Sequence, residues 1–397
     1  SRDEFVLRSI LGSSPRMTAD VACAPPKTQK PVAPPELRII TLAMTSPVLA
    51  PAVLNVDLDA LARNYRTLGA VSGAPVNPVV KADGYGLGAA AVTQRLMAEG
   101  ARTFFVARAA EGVRLREAIG PEPVIYILDG CHGDGAAMLK TSNLRPVINH
   151  PTQLQTWQAA GGGACGLQID TGMNRLGFRV EDAPEPFEGL ELVMTHLACA
   201  DEPSNPLNRA QRDAYAAAVQ RYPGVTRSFA NSGGCFLGPD FAFDVVRPGI
   251  CLYGGGPEGR PHEKIAPVAS LIAQAVQVRD VPAGETVGYS QGYKAERPMR
   301  VATVGAGYAD GVLRSYSPKG QVFIAGEMRP IIGRVSMDVL AIDVTGLDVK
   351  AGDPVEIFGA NRLIDDAAAA AGTISYELLT SITPRVPRVY QGRTAKG

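Results

Sequence analysis

This 397-residue chain has no surplus of either charge, no closely spaced cysteine pair and no apolar run long enough to span a membrane. Each absence narrows the field. Lys plus Arg and Asp plus Glu both number 39, so no basic surplus is available to neutralise phosphates, and the chain carries no nucleic-acid footprint. Nothing approaches the ~18 apolar residues of a membrane span, so no membrane partner is expected. The six cysteines, at 23, 131, 165, 199, 235 and 251, form no CxxC pair. A chain this long does not need disulfide staples, and they read as free thiols in a reducing, cytoplasmic setting. The histidines (His132, His150, His196 and His262) are scattered without HExxH or CxxH spacing, so no metal site is expected.

What is present is the composition of a soluble globular protein, 46% hydrophobic and 20% charged. At roughly 100–200 residues per domain, the length suits two domains. Residues 1–50 stand apart. Pro25, Pro26, Pro31, Pro34 and Pro35 lie among polar residues, a pattern that holds neither helix nor central strand. It reads as a disordered or vector-derived extension. Residues 37–50 make a poor export signal, because Thr41, Thr45, Ser46 and Pro47 break the apolar stretch.

From Leu54 onward the pattern is regular. Asp57 is placed to cap a helix carrying Leu58, Leu61, Tyr65 and Leu68 on one stripe. Short apolar strands are expected at 76–80, 103–107, 124–128, 145–148, 166–170, 192–196, 226–230 and 245–253. Amphipathic helices are expected between them, at 89–99, 109–118, 152–160 and 209–221. Continuous apolar strands joined by helices describe a parallel sheet buried on both faces. Eight units in residues 51–264 suit a closed (β/α)₈ TIM-like barrel. An open doubly wound sheet is the alternative, but no GxGxxG follows the first strand. Residues 265–397 alternate or run β-branched between turn signals, with helices only at 364–371 and 376–382. They form a mostly-β C-terminal domain.

Barrel chemistry gathers at the C-terminal ends of the strands. Lys81 ends the first strand behind Val79 and Val80. Partial desolvation lowers a lysine's proton affinity and suits it to a covalent Schiff base. The seventh strand leads into Asn231-Ser232-Gly233-Gly234, and the eighth carries Arg247-Pro248-Gly249-Ile250. Hydroxyls and glycine-flanked N–H groups at these ends suit a phosphate. Together with a strand-end lysine they favour a phosphate-bearing aldehyde, a description that pyridoxal 5'-phosphate fits.

Val79-Val80-Lys81-Ala82-Asp83-Gly84-Tyr85-Gly86 resembles the cofactor-attachment motif of alanine racemases, which are fold-type III pyridoxal-phosphate enzymes. Four further segments resemble that family in order: 170–177, 247–254, 304–311 and 333–338. The resemblance runs from about Ala52 to Tyr390 and implies an isomerase that interconverts L- and D-alanine for peptidoglycan. It implies that Lys81 and Tyr289 are the two catalytic bases and that Arg247 faces the pyridine nitrogen. It further implies that Tyr85, Asn231, Ser232, Gly249, Ile250 and Tyr376 bind the cofactor. His196 would link Tyr289 to Arg247, and Arg175 and Met337 would face the substrate carboxylate. Tyr308, Arg314, Arg334 and Asp338 would line the entrance and gate, although Arg334 and Asp338 also suit a structural ion pair. The family's arrangement implies a homodimer with shared active sites. Gln168 stands where many members carry a carbamylated lysine, Ser228 where some carry histidine, and Leu87 where histidine is frequent. The alternatives are a broad-specificity amino-acid racemase and a non-catalytic pyridoxal-phosphate carrier. Carriers of that kind resemble only the barrel, whereas this chain keeps the β-domain and Tyr289.

Overall fold

The computed structural model describes residues 50–392. Of the extension expected at residues 1–50, residues 1–49 lie outside the described residues.

The barrel is all parallel. Six strands follow one another around it: Thr103–Val106, Val124–Ile127, Arg145–Ile148, Cys165–Asp170, Leu190–Met194 and Thr226–Ser228. Phe104, Phe105, Ile125, Ile127, Val147, Leu167 and Val193 are wholly buried. This is why the strands read as continuous apolar runs rather than alternating ones. The remaining two positions of the ring are not regular strands. Val79 bridges Phe105, Ser228 bridges Val245, and Val76 bridges Val246. Single hydrogen bonds complete the circle, from Asn77 N to Val246 O (2.9 Å) and from Val79 N to Pro248 O (3.0 Å). Prolines at 75, 78 and 248 lack the N–H groups that a continuous ladder requires. The strand expected at 245–253 is accordingly short, and Ile250–Tyr253 is a 3₁₀ turn.

The second sheet has eight strands and curls on itself. Met299–Val304 pairs with both Leu340–Asp343 and the 13-residue strand Ala269–Val281. Ala52–Asp57 belongs here, although the sequence pattern assigned residues 51–264 to the barrel. It runs antiparallel to Ala269–Val281 and parallel to Arg388–Gln391. Its burial alternates, with Ala52, Leu54 and Val56 inward. That one-sided pattern suits a strand with one solvated face, unlike the barrel strands. The helices Ile364–Ala371 and Ser375–Ser381 fall where expected.

Asp57 ends this strand and starts the first helix, Leu58–Ser72. Its Oδ1 accepts from Asp59 N (2.9 Å) and Ala60 N (2.8 Å). These bonds satisfy N–H groups that the helix itself cannot. Asp57→Ala should therefore destabilise the protein by about 1 kcal/mol, read as a lower midpoint in urea unfolding. An unchanged midpoint would show that the cap adds nothing.

Candidate active site

The chain leaves Val80 and turns left-handed. Ala82, Asp83 and Gly84 sit at φ 52°, 54° and 62°, and Tyr85 follows at 56°. For non-glycine residues this conformation costs about 1–2 kcal/mol each, so surrounding groups must hold it. Asp83 Oδ1 accepts from Ala89 N (2.8 Å), and Glu111 Oε1 accepts from Ala82 N (2.8 Å). The Tyr85 ring stacks on Tyr253 with centroids 4.4 Å apart, and the Tyr253 hydroxyl donates to Val79 O (2.8 Å). From the C-terminal strand, Arg388 Nε donates to Gly86 O (3.1 Å) and the Tyr390 hydroxyl to Leu87 O (2.9 Å). A Cβ on Gly88 would stand 2.0 Å from that hydroxyl, so no larger residue fits there. Leu87 is wholly buried.

Lys81 heads this turn. Burial lowers its proton affinity, the Arg175 charge lowers it further, and Glu111 opposes both. Arg175 lies on the loop after Cys165–Asp170. Asp170 Oδ1 accepts from Gly172 N (2.9 Å) and Met173 N (2.8 Å), which shapes that loop's first residues. Gln168 Nε2 donates to Leu176 O (2.9 Å). Its amide thus fixes the backbone beside Arg175 rather than the guanidinium itself.

His196 follows the strand Leu190–Met194 and is half-buried. Burial pushes its imidazole down to about 3, and Arg247, Arg175 and Lys81 add to the effect. It is therefore neutral at physiological pH. Arg247 is 2% exposed and donates to Ser228 Oγ and Thr195 O. Ser228 Oγ in turn donates to Val245 O (2.9 Å), so the hydroxyl at this position aligns the arginine. Burial pulls the Arg247 guanidinium down to about 10, which leaves it charged at neutral pH.

Ser232 Oγ accepts from Gly249 N (2.9 Å) and Cys251 N (3.3 Å). Asn231 Oδ1 accepts from Gly234 N (2.9 Å), and Ile250 opens the adjoining 3₁₀ turn. A Cβ on Gly249 would lie 2.1 Å from the Tyr85 hydroxyl, so the close approach requires glycine. Tyr376 lies beside Tyr85, with ring centroids 5.9 Å apart. Asp365 anchors the residue before Tyr376 by accepting from Ser375 Oγ, and it also accepts from Gly256 N (2.8 Å). This donor set consists of hydroxyls and peptide N–H groups, with a buried cation nearby, and it suits a phosphate. A lysine of lowered proton affinity suits an aldehyde. The residues present therefore fit pyridoxal phosphate.

The other expected residues gather on the β-domain. Tyr289 is 71% exposed, in a short turn whose Ser290 sits at φ 55°. Arg334 Nη1 reaches Ser290 Oγ at 3.4 Å. Tyr308 N and Ala309 N donate to Ser336 O (3.0 Å) and Met337 O (2.9 Å), which places Tyr308 beside the exposed Met337. Asp338 does not pair with Arg334. Its partner is Arg385 (2.8 Å), which also holds the buried Asp310 (2.7 Å). Arg334 extends toward Ser290 instead, leaving the closer guanidinium to take the carboxylate. Arg314 is exposed at the start of its own turn. Among the described residues, no hydrogen bond, ion pair or ring contact joins the Tyr289 group to Lys81.

Three supporting residues escaped the sequence reading. Gln211 is wholly buried and bonds Ala198 N, Thr171 Oγ1 and His196 O, so it ties two strand-end loops together. Nothing local marks it. Arg385 is likewise set only by tertiary contacts. Glu111 did leave a signal, because a glutamate three residues after Arg108 has capping-box spacing.

A parallel barrel with these strand ends, followed by a β-domain, defines a two-domain barrel enzyme with a phosphate-cofactor cradle. Family models for the alanine racemase N-terminal domain and C-terminal domain match residues 56–257 and 268–390. An alanine racemase of Jannaschia sp. (strain CCS1) is 42% identical over 344 residues, 86% of this chain and 99% of that one. Among solved structures, the alanine racemase of Bartonella henselae with covalently bound pyridoxal phosphate is similar at TM-score 0.81. It is 35% identical, with 86% of this chain and 99% of that chain covered. The biosynthetic alanine racemase of Pseudomonas aeruginosa is similar at TM-score 0.79 and 35% identity, covering 87% of this chain and 100% of that one. The chain belongs to the alanine racemase family.

The electrostatics generate a pH prediction. The His196 imidazole takes a proton near 6.5 when unfolded and near 3 when folded. Between those values the unfolded chain binds a proton that the folded chain does not, so stability falls as pH drops from 6.5 toward 3. His196→Asn should flatten that decline, measured as urea midpoints between pH 7 and pH 4.5. An unchanged slope would place the acid sensitivity elsewhere.

Proposed function

We propose that the protein interconverts L- and D-alanine with pyridoxal phosphate, and that Lys81 of one subunit and Tyr289 of the other are the two bases. The observation that carries this reading is the separation of the two halves. Lys81 stands with Arg175, His196 and the phosphate-suited donors, while Tyr289 is exposed on the β-domain. A second subunit, placed head to tail, brings one half of each chain to the other and forms a homodimer with two shared sites. Support for the reaction comes from the relatives named above.

When bound, pyridoxal phosphate supplies a conjugated ring over which charge from the α-carbon spreads. Lys81 would hold it covalently through Nζ, and Tyr85, Asn231, Ser232, Gly249, Ile250 and Tyr376 would hold its phosphate. Arg247 would meet the ring nitrogen; a guanidinium carries no acceptor, so it could only donate there and would leave that nitrogen without a proton of its own. Arg175 and Met337 would orient the substrate carboxylate, and Tyr308, Arg314, Arg334 and Asp338 would line the entrance. Lys81 and Tyr289 would be the two bases, one removing the α-proton while the other returns one. Burial and the Arg175 charge make it easier for Lys81 to give up a proton. Neutral His196, between the cations, adds no further positive charge. The D-alanine formed supplies peptidoglycan. A cytoplasmic location accords with Cys131, Cys165, Cys199, Cys235 and Cys251, all free thiols. No helix of the described residues is long and apolar enough to cross a membrane.

Two measurements test this reading. Borohydride should fix the cofactor to the unaltered chain and not to Lys81→Ala. Lys81→Ala and Tyr289→Phe homodimers should each lose about 10²–10⁴ in rate. Subunit exchange between them should restore up to half the unaltered activity per heterodimer, since one site then lacks neither base. Failure to complement despite demonstrated exchange would place both bases in one chain.

A further inference from the structure

We propose that Glu111 is a positioning residue for Lys81, clamping the left-handed turn that follows the lysine to the N-terminus of the helix Ala109–Ile119. The proposal deepens the reading of Lys81 as the cofactor-bearing lysine and rests on it.

The geometry is specific. One carboxylate oxygen, Oε1, accepts from Ala82 N at 2.8 Å. The other, Oε2, accepts from Ala107 N (2.8 Å) and Arg108 N (3.0 Å), where the strand Thr103–Val106 passes into the helix. A single side chain therefore ties the residue after Lys81 to the end of the neighbouring strand. The tie spans one of the three seams of the ring closed without a regular ladder, since only the isolated Val79–Phe105 bridge joins these two positions. It also acts on the first left-handed residue, Ala82, whose φ of 52° a side-chain-bearing residue adopts only when held. A glutamate is required for this task. All three partners are donors, and an ionised carboxylate is acceptor-only, with two oxygens to share among them. Glutamine would turn an NH₂ group toward one of the N–H groups and lose one arm of the clamp.

The same carboxylate is the negative charge that acts on Lys81 from a neighbouring element. Arg175 faces the lysine from the loop after Cys165–Asp170, and His196 stands nearby, neutral, after Leu190–Met194. On Lys81's own turn, Asp83 is engaged with Ala89 N. Glu111 thus fixes the backbone beside Lys81 and also opposes the burial and the Arg175 charge that lower the lysine's proton affinity.

The test uses Glu111→Gln and Glu111→Ala in the full-length chain. Acetic anhydride labelling of Lys81 in cofactor-free protein, followed across pH by mass spectrometry, reports the amine directly. The labelling midpoint should fall in both variants, since an opposing charge is lost. In the loaded enzyme, kcat for alanine should fall about 10–100-fold as the lysine loses its placement. KM should change by less than about twofold, because substrate contacts are untouched. If Glu111→Ala does not fold, the near-isosteric Glu111→Gln carries the test. A Glu111→Gln chain with unchanged labelling and unchanged kcat would overturn the proposal. So would a loss of kcat that merely tracks the folded fraction, with labelling unchanged. Borohydride fixation of the cofactor to Lys81→Ala would instead overturn the role of Lys81, and the labelling result would still stand on its own.

Discussion

The left-handed turn after Lys81 is the constraint on which the rest of the structure depends. Three non-glycine residues, Ala82, Asp83 and Tyr85, are held in a conformation that L-residues avoid. Within the turn, a few bonds such as Gly86 N to Ala82 O (2.8 Å) and Ala89 N to Asp83 Oδ1 (2.8 Å) offset part of that conformation's cost. The turn persists because neighbouring elements fix it, including Glu111 from the second barrel unit, Tyr253 from the last, and Arg388 and Tyr390 from the C-terminal strand. This also gives a reason for the course of the chain. The C-terminal strand pairs with Ala52–Asp57, which leads directly into the barrel's first helix. The β-domain is thereby anchored against the segment that carries the lysine, and strain at the site is balanced by burial and hydrogen bonds outside it.

The second organising feature is a set of cations with few carboxylates among them. Lys81, Arg175 and Arg247 all act on His196, and together with burial they keep it neutral. Ser228 and Thr195 satisfy the buried guanidinium of Arg247 with neutral oxygens rather than with an acid. The arrangement leaves positive charge uncompensated where an anionic ligand would sit. A phosphate and an amino-acid carboxylate are both anions, and both are bound more strongly by charge-assisted hydrogen bonds in a partly dehydrated setting. The neutral partners of Arg247 preserve that surplus.

Much of the architecture was legible in the sequence because the barrel strands are short apolar runs separated by helices. The ring's closing segments were less so. Prolines at 75, 78 and 248 leave isolated bridges where a ladder was expected. The strand Ala52–Asp57 was missed because Ala52, Val53 and Leu54 are all apolar, so its sequence lacks the alternation its burial shows, and only tertiary pairing shows which sheet it completes. Lys81, Arg247 and the phosphate-suited residues lie in contiguous motifs, which is why they were found. The groups that hold them were not. Thr195 reaches Arg247 across 52 residues, and Arg385 reaches Asp338 across 47. Contacts of that kind depend on which strand ends the fold brings together, and no local spacing encodes them. The separation of Tyr289 from Lys81 was legible only as a domain boundary.

In the proposed reaction, Lys81 and Tyr289 move the α-proton of alanine to and from both faces. The most decisive measurement is to incubate the full-length protein with L-alanine, and separately with D-alanine, in deuterium oxide. Chiral chromatography and mass spectrometry then follow enantiomer ratio and α-deuterium together. Both reactions should converge on equal amounts of the two enantiomers, with deuterium at the α-carbon of the product. No inversion from either enantiomer, or conversion of alanine to pyruvate in place of inversion, would contradict the proposal.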